Sequence, residues 1–291
     1  MSMRFVKSHG AGNDFVVIED LDDTLRLNDA FVTGVCDRRF GVGADGLIRI
    51  VRSRDADFFM DYYNAGGEPS EMCGNGIRCL AKYVADRGLW SGSELRVDTR
   101  AGIKTITIER DASGSVVRAR VDMGPPILTR SDIPLSGDGD PLHEHLVVGS
   151  TDVEAACVSM GNPHAVVFVD DLAAVPFETL GPAMEVHETF PGRTNAEFAQ
   201  VLNDHEVRMR VWERGVGETM ACGTGACAVA VAANLRGFTG KNVAIHLPGG
   251  TLDIEWTDDT VYMSGPAEES FEGTLGARLL SLLPETTSTK G

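Results

Sequence analysis

The sequence predicts an α+β protein built as two homologous lobes. Three observations predict it. Short β-prone runs recur along the whole chain, broken by Gly, Pro, Asn and Asp. Only two segments carry a strong helical pattern. The chain also matches itself at an offset of 149 residues, the distance from Cys73 to Cys222, and this match lays one helix on the other. With 291 residues, 43% of them hydrophobic, there is material for one large domain or two of about 150 residues.

In chain order, residues 15–18, 47–51, 58–63, 95–97, 103–108 and 116–121 read as strands of the first lobe. A short helix is expected over 26–36. A longer one is expected from about Gly76 to Gly88, where Ile77, Leu80, Ala81 and Val84 fall at helical spacing. The stretch 129–144 contains Ser136-Gly137-Asp138-Gly139-Asp140-Pro141 and reads as a connector. Further strands are expected at 165–169, 197–201, 206–212, 243–247, 251–256 and 261–263. The helix from about Gly225 to Arg236 is apolar nearly all round, which predicts burial. These boundaries divide the chain into a first lobe, 1–128, completed by part of 264–284, a second lobe, 129–263, and a polar tail, 285–291, expected to fray.

The self-match supplies the chemistry. Gly12-Asn13 falls on Gly161-Asn162, each before an apolar strand ending in an acid. Gly43 falls on Gly192 and Met60 on Met209. Cys73-Gly74-Asn75-Gly76 falls on Cys222-Gly223-Thr224-Gly225, and each opens a helix. Near the end of each copy, Met123-Gly124-Pro125 resembles Ser264-Gly265-Pro266 at an offset of 141. If the lobes pack around a pseudo-two-fold axis, equivalent loops face each other and Cys73 stands opposite Cys222.

A net charge of −17 argues against nucleic acid or an anionic membrane as the main partner, since both want a basic surface. No run approaches the roughly 18 apolar residues of a membrane span. Met1-Ser2-Met3-Arg4-Phe5 has no signal-peptide core, so the cytosol is the expected compartment. Thiols there are mostly reduced. Cys36, Cys79, Cys157 and Cys227 are expected as small buried apolar groups. The cysteine spacings lack the matched pairs of a zinc site, so no metal is expected. Gly41-Val42-Gly43-Ala44-Asp45-Gly46 fits G-x-G-x-x-G but precedes a strand instead of opening a helix, so it is not read as a dinucleotide site. No lysine stands in a recognisable pyridoxal-phosphate setting, and no cofactor is expected.

A cysteine at a helix N-terminus meets unpaired N–H groups and the positive end of the helix dipole. Such a site is expected to lower a thiol pKa from about 8.5 into roughly the 3.5–7.5 range, and it can also hold a carboxylate. Two such thiols across one small molecule suit stereoinversion: one removes a proton from carbon and the other returns one to the opposite face. The two would titrate as a pair. The alternative is a non-enzymatic thiol switch or a disulfide.

At these residues the chain resembles diaminopimelate epimerase. The matching blocks are His9-Gly10-Ala11-Gly12-Asn13-Asp14-Phe15, Gly41 to Gly46, Asn64-Ala65-Gly66-Gly67, Met72 to Cys79, Met160-Gly161-Asn162-Pro163-His164, Arg193-Thr194-Asn195, and Trp212 to Thr219 followed by Ala221 to Gly225. They span both lobes. The resemblance implies a cofactor-independent isomerase that interconverts LL- and meso-2,6-diaminopimelate for lysine and peptidoglycan precursor synthesis. It also implies lobes each formed of a β-barrel-like sheet around a central helix, and a homodimer. Carried over by position, Cys73 and Cys222 are the base/acid pair. Gly74, Asn75, Gly223 and Thr224 hold the reacting carboxylate. Asn64, Glu213 and Arg214 contact the substrate's amino and carboxylate groups. Asn13, Asn162 and Asn195 read the distal end, and His164 and Glu213 tune the thiols. Two departures stand out. Gly46 occupies a position where many relatives carry a Gln on the distal end, and the common Asn-Ala-Asp-Gly-Ser turn reads Asn64-Ala65-Gly66-Gly67-Glu68. Another cofactor-independent amino acid racemase on the same scaffold is the alternative; proline and hydroxyproline racemases share the two-cysteine plan.

Overall fold

The computed structural model describes residues 2–149 and 151–284. The chain separates into two units, Met1–Ala119 with Pro266–Gly291, and Arg120–Gly265. The expected tail at 285–291 lies outside the described residues.

The first unit holds β1 (Arg4–Gly10), β2 (Asn13–Glu19), α1 (Asp29–Cys36), β3 (Gly46–Arg52), β4 (Phe58–Asn64), α2 (Gly74–Asp86), β5 (Glu94–Asp98) and β6 (Lys104–Arg110). Strand β7 (Val116–Gly124) carries the chain into the second unit. There follow β8 (Glu144–Val148), β9 (Thr151–Ser159), β10 (Pro163–Phe168), α3 (Phe177–Glu185), β11 (Asn195–Asn203), β12 (Glu206–Glu213), β13 (Gly217–Glu218), α4 (Gly223–Leu235), β14 (Asn242–Leu247), β15 (Gly250–Trp256) and β16 (Val261–Gly265). The chain then returns to the first unit as β17 (Glu268–Thr274) and α5 (Ala277–Leu280).

The strand pairings show the duplication. From β1 to β6, consecutive neighbours pair antiparallel, parallel, antiparallel, parallel and antiparallel. From β9 through β10, β11, β12 and β14 to β15 the order is the same. Register agrees as well. Phe15 lies opposite Gly46 and His164 lies opposite Asn195, and these two pairs match across the 149-residue offset. Each copy gains its own outer strand, β17 beside β1 and β8 beside β9.

A parallel neighbour and a covering helix bury both faces of a strand, so such strands lose the usual alternation. Phe15, Val16, Val17 and Ile18 are all buried in β2, which reads as a continuous apolar run. In α2 the face Ile77, Leu80, Ala81 and Val84 is fully buried, and the helix packs on β1, β2, β3, β6 and β17. Residues Gly225–Ala233 of α4 are buried on every side among strands of its own unit, as its uniform hydrophobicity predicts. Each fully buried Ile, Leu or Val adds about 1.5–3 kcal/mol.

Both central helices start two residues earlier than expected, at Gly74 and Gly223, because the glycines of the Cys-Gly-x-Gly turns already follow the helical path. Seven of the helices and strands go beyond those expected, the short β8, β13 and α5 among them, and the other four carry too little local signal. Strand β1 mixes Lys, Ser and His, β17 is acidic and exposed, β9 opens on Thr-Asp, and α3 contains Gly181 and Pro182. The segment 129–144 is not a free connector. Ile133 and Leu135 are buried in the core of the second unit with Leu146, Phe177 and Phe198, so apolar burial holds it down despite its turn-forming composition.

Candidate active site

In the first unit, Cys73 is the N-cap of α2, with extended φ −135° and ψ 118°, and its side chain makes no capping bond. The Cys73 side chain thus takes up none of the first-turn N–H groups, the donors that hold an anion at a helix start. The Cys73 thiol donates to Asn13 Oδ1 at 3.5 Å, and Asn75 Nδ2 donates to the same oxygen at 3.2 Å. Asn13 Nδ2 in turn donates to Asp45 Oδ2 at 2.7 Å. Asp45 is gripped by Arg38 at 2.6 Å, and Arg38 and Lys7 both reach Asp14, at 2.8 and 2.6 Å. Burial alone would raise the Asp14 carboxyl, but the two cations hold it far below the usual carboxylate range. The glycine-rich stretch 41–46 thus has a use other than nucleotide binding: Gly43, at φ +80°, turns the loop that delivers Asp45 to Asn13.

Behind this cluster lies Arg78, the largest fully buried side chain. It donates to Gly74 O at 3.0 Å, Asn75 Oδ1 at 2.9 Å and Pro266 O at 3.3 Å, fixing the loop from below. Asn64 ends β4 opposite Gly46. Its Nδ2 donates to Glu68 Oε1 at 3.3 Å, and its carbonyl accepts from Gly67 N at 3.0 Å. Gly67, which the common turn also has, sits at φ +100°, and a Cβ there would lie 2.7 Å from the backbone of Asp29, so this position requires glycine; at the departure Gly66, the space a Cβ would take is filled by the Glu68 carboxylate. A Cβ on Gly46 would lie 2.6 Å from both the Tyr62 ring and Tyr63 O. Tyr62 fills that space, and Gly46 can offer only backbone.

In the second unit, Cys222 caps α4 in the same way, with φ −117° and ψ 112° and no side-chain capping bond. Its surroundings differ. Thr224 Oγ1 is 3.5 Å from the sulfur. Glu213, at the end of β12, accepts a short hydrogen bond from the Thr219 hydroxyl and lies close enough to act electrostatically on Cys222. His164 is fully buried on β10; its Nδ1 is 2.6 Å from Glu197 Oε1 and its Nε2 3.1 Å from Asn162 Oδ1. Asn195 serves the main chain at both ends, donating to Pro163 O at 2.9 Å and accepting from Arg214 N at 2.9 Å. The Arg214 side chain folds back onto Gly192 O at 3.1 Å. Gly223 is the first residue of α4.

The expected lowering of the thiols does not hold for Cys222. Burial pushes its pKa well above the ordinary thiol value, and the Glu213 and Glu197 carboxylates push the same way. The Thr224 hydroxyl and the Gly225 amide favour the thiolate and are outweighed. Glu213 is itself pushed up by burial. Cys36 and Cys79 are buried and pushed up to about 12. Cys157 and Cys227 are buried too, and among the described residues no cysteine is in a disulfide.

Within the first unit, Asn13, Cys73, Gly74 and Asn75 come together, with Asn64 and Gly46 paired across β3 and β4. Within the second, Asn162 joins His164, Asn195 joins Arg214, and Glu213 joins Cys222, Gly223 and Thr224 around the start of α4. Sequence reasoning misses Arg78, Asp45, Glu185 and Glu197. Glu185, the last residue of α3, accepts from Trp212 Nε1 and Gly215 N, both at 2.9 Å, and so anchors the turn that carries Glu213 and Arg214. Glu197 had a usable signal: two residues after Asn195 on one strand, it must share that residue's face.

Comparison with known proteins finds a family and a fold for the chain. A family model described as diaminopimelate epimerase matches residues 5–129 and 156–269. The protein named diaminopimelate epimerase in Pelotomaculum thermopropionicum is 51% identical over 277 residues, covering 93% of this chain and 98% of its own. Its namesake in Moorella thermoacetica is 51% identical over 275 residues, covering 93% and 98%. Among solved structures, a hydroxyproline epimerase from Agrobacterium vitis superposes with TM-score 0.69 at 14% identity, covering 94% of this chain and 92% of its own. A probable proline racemase from Agrobacterium radiobacter gives 0.70 at 13%, covering 94% and 93%. These two share the fold.

Proposed function

The chain belongs to the diaminopimelate epimerase family, and on that premise we propose that it inverts one α-carbon of 2,6-diaminopimelate, interconverting the LL and meso forms by two-base proton transfer. The observation that carries this reading is the duplicated pair of cysteine N-caps. Neither cysteine is in a disulfide, and each stands at the first turn of its helix with no side-chain capping bond.

The α-proton is weakly acidic, so the chemistry needs a base aimed at it and donors on the carboxylate that stabilise the developing negative charge. Cys73 and Cys222 are the base and acid. One thiolate takes the proton, and the other thiol delivers its own proton to the opposite face; the return reaction exchanges the roles. Burial and the flanking carboxylates favour the protonated form of Cys222. The amides of Gly74, Asn75, Gly223 and Thr224 hold the reacting carboxylate at the helix N-termini. Asn64, Glu213 and Arg214 contact the reacting amino acid group. Asn13, Asn162 and Asn195 read the distal one, with Gly46 contributing backbone only. His164 and Glu213 tune the thiols. No cofactor or metal enters the scheme.

A homodimer in the cytosol, acting in lysine and peptidoglycan precursor synthesis, completes the proposal. Among the described residues no helix is long and apolar enough to cross a membrane. The experiment is turnover of LL-diaminopimelate in D₂O. One solvent deuteron should appear at the inverted carbon, and turnover without label would refute proton exchange. A panel including proline and hydroxyproline tests the racemase alternative, and neither should be turned over.

A further inference from the structure

The 149-residue repeat places Glu197 on Ile48 and His164 on Phe15. The structure gives both pairs the same station. A Cβ on Gly76 would lie 2.9 Å from Ile48 Cδ1, and a Cβ on the equivalent Gly225 would lie 2.8 Å from Glu197 Oε1. One fold therefore accepts either an aliphatic side chain or a carboxylate beneath the first turn of its central helix. Burying a carboxylate costs several kcal/mol that an isoleucine does not. Packing thus gives no reason for an acid here.

Its bonds give one. Glu197 and His164 are both 0% exposed, and Glu197 Oε1 lies 2.6 Å from His164 Nδ1. The other ring nitrogen faces Asn162 Oδ1 at 3.1 Å. Both nitrogens thus face oxygen acceptors. Nε2 must carry a hydrogen, and one proton lies in the Nδ1–Oε1 contact. Glu197 Oε2 is buried and has no hydrogen-bond partner among the described residues. The titratable groups around this carboxylate are His164 on β10, Cys157 on β9, Glu213 on β12 and Cys222 at the start of α4.

We propose that Glu197 is a positioning residue for the reaction: it locks the His164 ring with Nε2–H toward Asn162 and supplies the negative field that keeps Cys222 a proton donor. The inference rests on the epimerase reading for its kinetic part only. Its two substrate-free consequences are the tautomer of His164 and the ionisation of Cys222.

The test uses Glu197→Gln, which keeps shape and removes charge, and Glu197→Ile, which copies the sister position. Both should fold, as judged by circular dichroism and thermal melting. The ¹⁵N shifts of His164 should leave the wild-type pattern in each. Alkylation of Cys222 by iodoacetamide, resolved by peptide mass, should begin at lower pH than in the wild type. The kcat of Glu197→Gln should fall roughly 10- to 100-fold with KM within about twofold, a loss of the size seen when an outer partner orienting a working side chain is removed. Unchanged shifts, an unchanged alkylation profile, or kcat within about twofold of wild type would each overturn the proposal. Failure of both variants to fold would also overturn it, by making Glu197 a stability residue. A wild-type protein inactive on diaminopimelate would count against the epimerase reading, while the ¹⁵N and alkylation results would still stand or fall on their own.

Discussion

The ground behind Cys73 is made of amides and a buried cation; the ground behind Cys222 is made of carboxylates and an imidazole. Both cysteines cap a thirteen-residue helix, and the strands that carry them pair in the same order. Yet Asn13, Asn75 and Arg78 stand near the first, and Glu213, Glu197 and His164 near the second. The lesson is a division of labour within a duplicated fold. Backbone geometry is held in common and places two thiols at equivalent helix ends, and a few buried side chains make the two sulfurs chemically different.

The largest test of that comparison removes the sulfurs. Cys73→Ala and Cys222→Ala should each lower epimerisation on the order of 10⁴-fold with the circular dichroism spectrum unchanged. A substantial residual rate in either variant would show that only one half-site does chemistry. Next comes Arg78→Met, which leaves the carbonyls of Gly74 and Pro266 and the side chain of Asn75 short of a donor. It should cost about 2–4 kcal/mol in urea unfolding, whereas Cys227→Ala at the equivalent position should cost about 1 kcal/mol. Equal costs would mean the two grounds are alike in energy as well as in shape.

The smallest effect sharpens the comparison through pH. The Glu213 carboxyl is pushed up by burial, so the folded chain holds its proton more tightly than the unfolded chain. Its contribution is therefore fully present at acid pH and is lost as pH rises from the unfolded value near 4.3 through the raised folded value. Glu213→Gln should remove that loss from a plot of stability against pH and should move Cys222 alkylation to lower pH. The alkylation profile of Cys73 should not move.

Much of this was legible because duplication writes itself twice. Cys73-Gly74 and Cys222-Gly223 mark both helix starts, and the apolar runs mark the strands between them. Elements whose order comes from tertiary contact were not legible. α3 contains Gly181 and Pro182, and β17 is an exposed acidic strand held by pairing with β1. The site shows the same limit. Groups that touch a ligand in the proposed scheme stand in glycine-rich loops and attract notice, whereas Arg78 and Glu197 lie inside helix and strand, where a lone charge reads as surface. The thiol expectation failed for the same reason: helix position can be read from sequence, but the burial of Cys222 and the second carboxylate beside it cannot.

The first unit is closed by its own far end, since β17 and α5 follow the whole second unit in the chain. During synthesis, β1 therefore emerges with one rim of hydrogen-bonding groups open, and it stays open until the last strand leaves the ribosome. The second unit is continuous in sequence and can complete itself earlier. The order of birth thus opposes the order of maturation, and a chain stalled or clipped shortly before Glu268 would carry a finished second half and a first half with an adhesive border.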